Sequence, residues 1–244
     1  MIVTRLNPLL EALEGGAAVN RVLLADTARG PKIERIKELC RQNRVAFQFV
    51  PAAAIARRAG ARHQGVFAET APVCFYDLEE VLSAPAPGNP LFLILDGVED
   101  AGNLGAIVRS AAAAAVSAII TPALHSAPVN ETTLTASAGA LRLVKIVKAT
   151  NLGRCVERLK EANVWVAGSD RHAETAYTAF DFRPPTAVIL GGEARGISPL
   201  LKKKADALIS IPLAVGVESL NVAAAAAVIL FEALRQRGNR PSGR

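Results

Sequence analysis

Short continuous apolar runs alternate with stretches of helical spacing over most of the chain. Residues 91–95, 118–120, 143–147, 164–167, 187–190 and 207–211 are dense in aliphatic side chains and too short for core helices. They are predicted strands. Helices are predicted near 103–115, 151–162 and 220–236. Strands without alternation are buried on both faces, and intervening helices supply the crossovers of a parallel sheet. Ligands in such sheets bind at the loops that follow the strands. Upstream, residues 22–25 and 46–50 read as strands, and between them Ile33, Ile36, Leu39 and Cys40 recur at helical spacing. Residues 83–90 hold three prolines and a glycine, which suits neither a helix nor a central strand. The pattern is α/β throughout. It predicts a small N-terminal α/β unit over 1–70, a linker over 71–90 and a larger parallel-sheet unit over 91–244.

Composition narrows the class. At 244 residues and 51% hydrophobic, the chain is neither disordered nor repetitive, and it is long enough for a sizeable core. The longest apolar run, Val222 to Phe231, is half of the ~20 residues that a membrane span needs. The first residues turn polar too soon for a signal peptide, so no membrane is expected. Cys40, Cys74 and Cys155 are far apart and form no CxxC pair. Neither a disulfide framework nor a metal site is expected, and a cytoplasmic location follows.

Charge has an address. The formal net charge is +6, and residues 1–68 alone carry 11 Lys+Arg against 5 Asp+Glu, so the rest of the chain is neutral. Lys37, Arg41 and Arg44 share one face of the first helix, and Arg57, Arg58 and Arg62 form a second basic patch. They are either a solvated surface or a phosphate-contacting one, in which cations displace condensed counterions. Aromatics for base stacking are not evident there, so RNA binding would rest on backbone and shape.

Three loops are candidates for chemistry. Asp96 to Arg109 follows the first strand of the larger unit, with Asn103 placed to cap a helix, Gly102 and Gly105 permitting close backbone approach, and Arg109 on an otherwise alanine-rich segment. Gly191-Gly-Glu-Ala-Arg-Gly-Ile197 makes a tight turn after another strand and places the carboxylate of Glu193 at its mouth. Ile211-Pro212 with Ser219-Leu-Asn221 leads into the apolar 222–234 helix, which must be buried, and Ser219 or Asn221 would cap it. No G-x-G-x-x-G occurs, which disfavours a nucleotide-dependent dehydrogenase. The three histidines, His63, His125 and His172, lie outside these loops and read as non-catalytic.

In order and spacing, these loops resemble the three motifs of the SpoU/TrmH branch of the SPOUT methyltransferases: N-x-G-x-x-x-R, G-x-E-x-x-G-[LI], and I-P followed by S-L-N and a small-residue helix. Asn7-Pro8, His63-Gln64-Gly65 and Ser137-Ala-Gly139 are similar to the RlmB-type guanosine 2′-O-methyltransferases of large-subunit rRNA. The chain departs from the pattern at Ala101, where the family often has proline, and at Arg5, where it has glycine.

The resemblance implies a ribosomal-protein-like RNA-binding domain joined to an α/β domain with a C-terminal trefoil knot. It also implies a homodimer with active sites at the subunit interface. S-adenosyl-L-methionine would be held by Gly191, Ile211 and Leu220, and a ribose 2′-hydroxyl would be methylated, most simply of guanosine in 23S rRNA. Arg109 would act as base or as phosphate clamp, with Asn103, Glu193, Ser219 and Asn221 orienting it or the ribose. A tRNA or another rRNA nucleoside is the nearest alternative target. A non-enzymatic ribosome-assembly factor is a further alternative, although a pure binder has no need of all five polar residues.

Overall fold

A computed structural model describes residues 2–14, 19–60, 63–70, 75–84, 88–193 and 195–238, which leaves Arg62 and Cys74 outside. The N-terminal part runs β1 (Ile2–Val3), α1 (Leu6–Glu14), β2 (Val19–Ala25), α2 (Pro31–Gln42), β3 (Ala46–Val50), α3 (Ala52–Ala59) and β4 (Val66–Thr70). Its four strands form one sheet in the order β1-β4-β2-β3. Alternation along β2 explains the layering. Val22 and Leu24 pack with Ile33, Ile36 and Leu39 of α2, whereas Leu23 and Ala25 pack with Ile55 of α3 on the opposite face.

The remaining elements are β5 (Phe75–Tyr76), α4 (Leu78–Ser83), β6 (Leu91–Asp96), α5 (Ala101–Ala113), β7 (Ala118–Pro122), α6 (Glu131–Ser137), β8 (Lys145–Ala149), α7 (Leu152–Glu161), β9 (Trp165–Ser169), β10 (Thr175–Ala176), β11 (Thr186–Gly191), α8 (Pro199–Lys204), β12 (Ala207–Ser210) and α9 (Val222–Gln236). All eight strands are parallel, in the order β10-β12-β9-β11-β6-β7-β8-β5. Leu91, Leu93 and Leu95 face a core shared with α5 and α9, while Phe92 and Ile94 face one shared with α7 and α8. Burial on both faces is why these strands show no alternation.

The predicted linker is not featureless. Phe75 and Tyr76 pair with β8 at the edge of the large sheet, and Asp77 and Glu80 close a reciprocal capping box that starts α4. The prolines of the segment stand at 72, 85, 87 and 90, so none falls within α4 to oppose that short helix. The strand expected from residue 143 begins at Lys145, because a 3₁₀ turn over Ala140–Arg142 leaves Leu143 exposed.

The two sheets are joined through α1 and α6. Thr4 donates from its backbone N–H to Glu131 Oε1 at 3.2 Å and from its hydroxyl to both carboxylate oxygens. At the far end, Arg237 fastens α9. Its guanidinium donates to the carbonyls of Phe182 (2.7 Å), Asn89 (2.6 Å) and Pro184 (2.8 Å). No other side chain offers several donors in that fixed fork. Arg237→Ala is therefore expected to destabilise the fold by about 2–4 kcal/mol. Thermal unfolding followed by circular dichroism checks this, and an unchanged midpoint would refute the clamp.

Candidate active site

The order of the large sheet creates the site. From β6 the chain proceeds in one direction through β7 and β8, whereas β9, β11 and β12 lie on the other side. β6 and β11 are neighbours with Asp96 opposite Gly191, so the loops after them leave from the point where the winding reverses. Crevices in open α/β sheets form there.

The two loops are sewn together at once. Gly192 N–H donates to the Asp96 carbonyl at 2.8 Å, and Ser198 N–H donates to Asp96 Oδ2 at 2.7 Å. A Cβ at Gly191 would collide with the Gly196 carbonyl carbon and the Ile197 amide nitrogen, and one at Gly192 with the Gly97 carbonyl oxygen. These positions require glycine because another backbone occupies the space. Gly105 is similar, since a Cβ there would lie 2.7 Å from the Thr133 carbonyl oxygen where α6 crosses α5.

Asp100, not Asn103, caps α5. Its Oδ1 accepts from Asn103 N–H at 2.7 Å, and a carboxylate is well suited to that positive helix end. Asn103, the third residue of α5, thereby has its side chain free for the site. Its Nδ2 donates to Glu193 Oε1 at 3.0 Å. Asn221 caps α9 as predicted, its Oδ1 accepting from Ala223 N–H at 2.9 Å. That commits Nδ2 to donation, and it donates to Asn103 Oδ1 at 3.0 Å and Glu193 Oε1 at 2.9 Å. One residue from each of the three loops thus enters a closed hydrogen-bonded triangle.

Glu193 stands between two clefts. The first, about 520 Å³, is lined by Gly191, Ile211, Leu220 and Ser219, with Leu190 and Val222 behind them. The second, about 950 Å³, is lined by Asp96, Asn103, His125 and Ser198. Glu193 lines both. Sequence reasoning missed Asp170, Arg171, His172 and Lys202 in the first cleft, where Lys202 Nζ lies 2.5 Å from Asp170 Oδ2 and Arg171 Nε donates to His172 Nε2 at 2.9 Å. The available signal for Asp170, Arg171 and His172 was their position directly after β9, whereas Lys202 comes from α8. Two of the three histidines therefore line the clefts, while His63 accepts from Gly65 N–H at 3.1 Å.

Arg109 stands apart. It is exposed and lines neither cleft. Six residues beyond Asn103, it lies about 9 Å farther along α5 and about 120° around it. Its charge falls instead on Glu11 of α1, whose carboxyl is pushed up by burial and drawn back down by Arg109.

The expected RNA-binding residues divide between the two faces of the small sheet. On the α2 side Lys37 is ion-paired with Glu34 at 2.7 Å, Arg41 sits over the Phe47 ring at 5.8 Å, and Arg44 makes a left-handed turn into β3. On the α3 side Arg57 and Arg58 line a groove of about 430 Å³ with Gln48 and Val50.

Comparison with known proteins agrees with this arrangement. Residues 90–231 match the SpoU rRNA Methylase family, and residues 6–75 match the RNA 2′-O ribose methyltransferase substrate-binding family. The chain belongs to the SpoU rRNA methylase family. It is 39% identical over 240 residues to the 23S rRNA (guanosine-2′-O-)-methyltransferase RlmB of Xanthomonas axonopodis pv. citri, covering 96% of each chain. It is 33% identical over 239 residues to a Staphylococcus saprophyticus protein named for the TrmH family of tRNA/rRNA methyltransferases, covering 97% of this chain and 96% of that one. The SpoU methyltransferase AviRb from Streptomyces viridochromogenes, solved with the cofactor AdoMet, superposes with a TM-score of 0.80 at 26% identity, over 98% of this chain and 91% of that chain.

The first cleft suits the cofactor of a SpoU methylase on its own chemistry. Leu190, Ile211, Leu220 and Val222 offer an apolar wall for an adenine ring, and Glu193 and Glu218 offer carboxylates to a sulfonium and an ammonium, Asp170 being ion-paired with Lys202. Among the described residues no group of three or more His, Cys, Asp or Glu is arranged to hold a metal ion, and no helix is long and apolar enough to cross a membrane.

Proposed function

We propose that this SpoU methylase transfers a methyl group from S-adenosyl-L-methionine to the 2′-hydroxyl of a guanosine in 23S rRNA, in the cytoplasm. The carrying observation is the Asn103–Glu193–Asn221 triangle at the junction of the two clefts. S-adenosyl-L-methionine supplies, when bound, an electrophilic methyl carbon on a positively charged sulfur. Gly191, Ile211 and Leu220 would hold it in the first cleft, and the second is open to the nucleotide. Two amide donors fix the Glu193 carboxylate, so together with Asn103, Asn221 and Ser219 it orients the attacking ribose. Arg109 is always protonated and hence a poor base; it clamps an RNA phosphate, whose oxygen takes the 2′-hydroxyl proton, and it stabilises the attacking oxygen as that proton leaves.

Within one chain Arg109 does not reach the triangle, which favours a homodimer in which it serves the partner's cleft. Two exposed apolar surfaces support that reading. α9 leaves Phe231 48% exposed, and the 212–220 loop exposes Val215 and Val217. The division into a substrate RNA-binding unit and a catalytic unit is supported by two sheets and two matched ranges, 6–75 and 90–231. The knot is supported by the path of the C-terminal segment: from β12, beyond β9, it returns to pack α9 against α5.

The test is transfer of labelled methyl from the cofactor to RNA purified from a strain lacking the gene. Label is expected in large-subunit rRNA. Label in tRNA alone would establish the alternative target, and label in neither would leave the assembly-factor reading.

A further inference from the structure

Aromatic residues suited to base stacking, not evident in the sequence, are present on the small sheet. β3 is its terminal strand, paired only with β2, so its outer backbone edge is open among the described residues. Phe47 and Phe49, two residues apart, share one face of that strand. Their rings meet edge to face at 6.4 Å and 80°. Phe47 is anchored against the core beneath α2, with the Arg41 guanidinium 5.8 Å from its ring centroid. Phe49 is 43% exposed. Across the strand, Gln48 and Val50 face the groove that Arg57 and Arg58 line. Hydrophobic edge strands are normally blunted by charge or covered. Here an exposed ring is held rigidly by a second ring, and cations flank the edge on both faces.

We infer that the β3 edge grips unpaired nucleotides of the RNA substrate. One base stacks on Phe49, and Arg41, Arg57 and Arg58 neutralise the phosphates on either side. This deepens the reading that the substrate is RNA and rests on it, since it names the feature recognised: a loop or bulge rather than a continuous duplex. Bases in A-form duplexes are stacked and their major groove is closed to side chains, so an aromatic platform is useful only where bases are splayed out. Cation-rich flanks fit that polyanion and oppose edge-to-edge pairing with a second copy of the same strand.

The experiment uses the full chain and two labelled RNAs of equal length, a hairpin with an unpaired loop and a blunt duplex, with binding followed by fluorescence anisotropy. Phe49→Ala is expected to weaken hairpin binding by about 5- to 100-fold and to leave duplex binding unchanged. Phe49→Trp should restore it. Arg57→Ala with Arg58→Ala should weaken both RNAs and flatten the salt dependence by roughly one to two units of slope. Wild-type hairpin affinity in Phe49→Ala, equal loss on both RNAs, or a changed oligomeric state with unchanged affinity would each overturn the inference. Methyl transfer to rRNA by the wild-type protein is measured in parallel. Transfer with Phe49-independent binding sinks the β3 surface alone, whereas no transfer to any RNA sinks the catalytic reading and leaves a loop-selective binding surface standing.

Discussion

Mixing Arg109→Ala subunits with Glu193→Ala subunits should recover methyl transfer that neither variant has alone. Arg109 lies on a face of α5 remote from the hydrogen-bonded triangle, and it is exposed rather than buried against its own clefts. In the proposed homodimer a composite site across the two-fold interface would resolve this, because each Arg109 would then serve the other subunit's Glu193. In a mixed dimer one cleft lacks both groups and the other has both. Random reassociation gives half mixed dimers, so activity should return to about one quarter of wild type. Arg109→Ala alone should lose about 10²- to 10³-fold in kcat/KM, the usual size for removing one donor to a developing oxyanion, with cofactor affinity intact. If mixed dimers form and stay inactive, Arg109 acts within its own chain. If Arg109→Ala turns over like wild type, the residue has no role in transfer.

The second large effect is expected at Gly191. A methyl group there would overlap the Gly196 carbonyl carbon and the Ile197 amide nitrogen, both backbone atoms that no rotamer change can move aside. Gly191→Ala must displace the 192–197 loop, at a cost of about 3 kcal/mol. The same loop carries Glu193 and walls the proposed cofactor cleft, so affinity for S-adenosyl-L-methionine should fall by at least about tenfold together with stability. Isothermal titration calorimetry and thermal unfolding on the same preparation check both. A variant with normal melting and normal cofactor binding would show that the loop tolerates the methyl group.

The large sheet was legible because its strands are covered on both faces, which leaves continuous apolar runs at 91–95, 118–120 and 187–190. Elements held by a few local contacts were not. β5 and α4 fell within the expected linker, because two exposed aromatics and one short capped helix carry no periodic signal. Asn103, Glu193 and Asn221 could be picked out in the motif loops, yet their convergence is a property of strand order that no spacing encodes. Asp100 took the cap expected of Asn103 because α5 begins at Ala101, which makes the Asn103 N–H itself one of the helix's orphan amides. The aromatic platform stayed hidden because Phe47 and Phe49 on a buried strand would be core. Only the order β1-β4-β2-β3 places them at an edge.

The reaction delivers a methyl group to the ribose 2′-oxygen of a guanosine. Large-subunit rRNA from a strain lacking the gene, treated with the protein and methyl-labelled cofactor, is digested to nucleosides and resolved by mass spectrometry. Label is expected in 2′-O-methylguanosine and nowhere else. Label on a base, or on the ribose of another nucleoside, would contradict it.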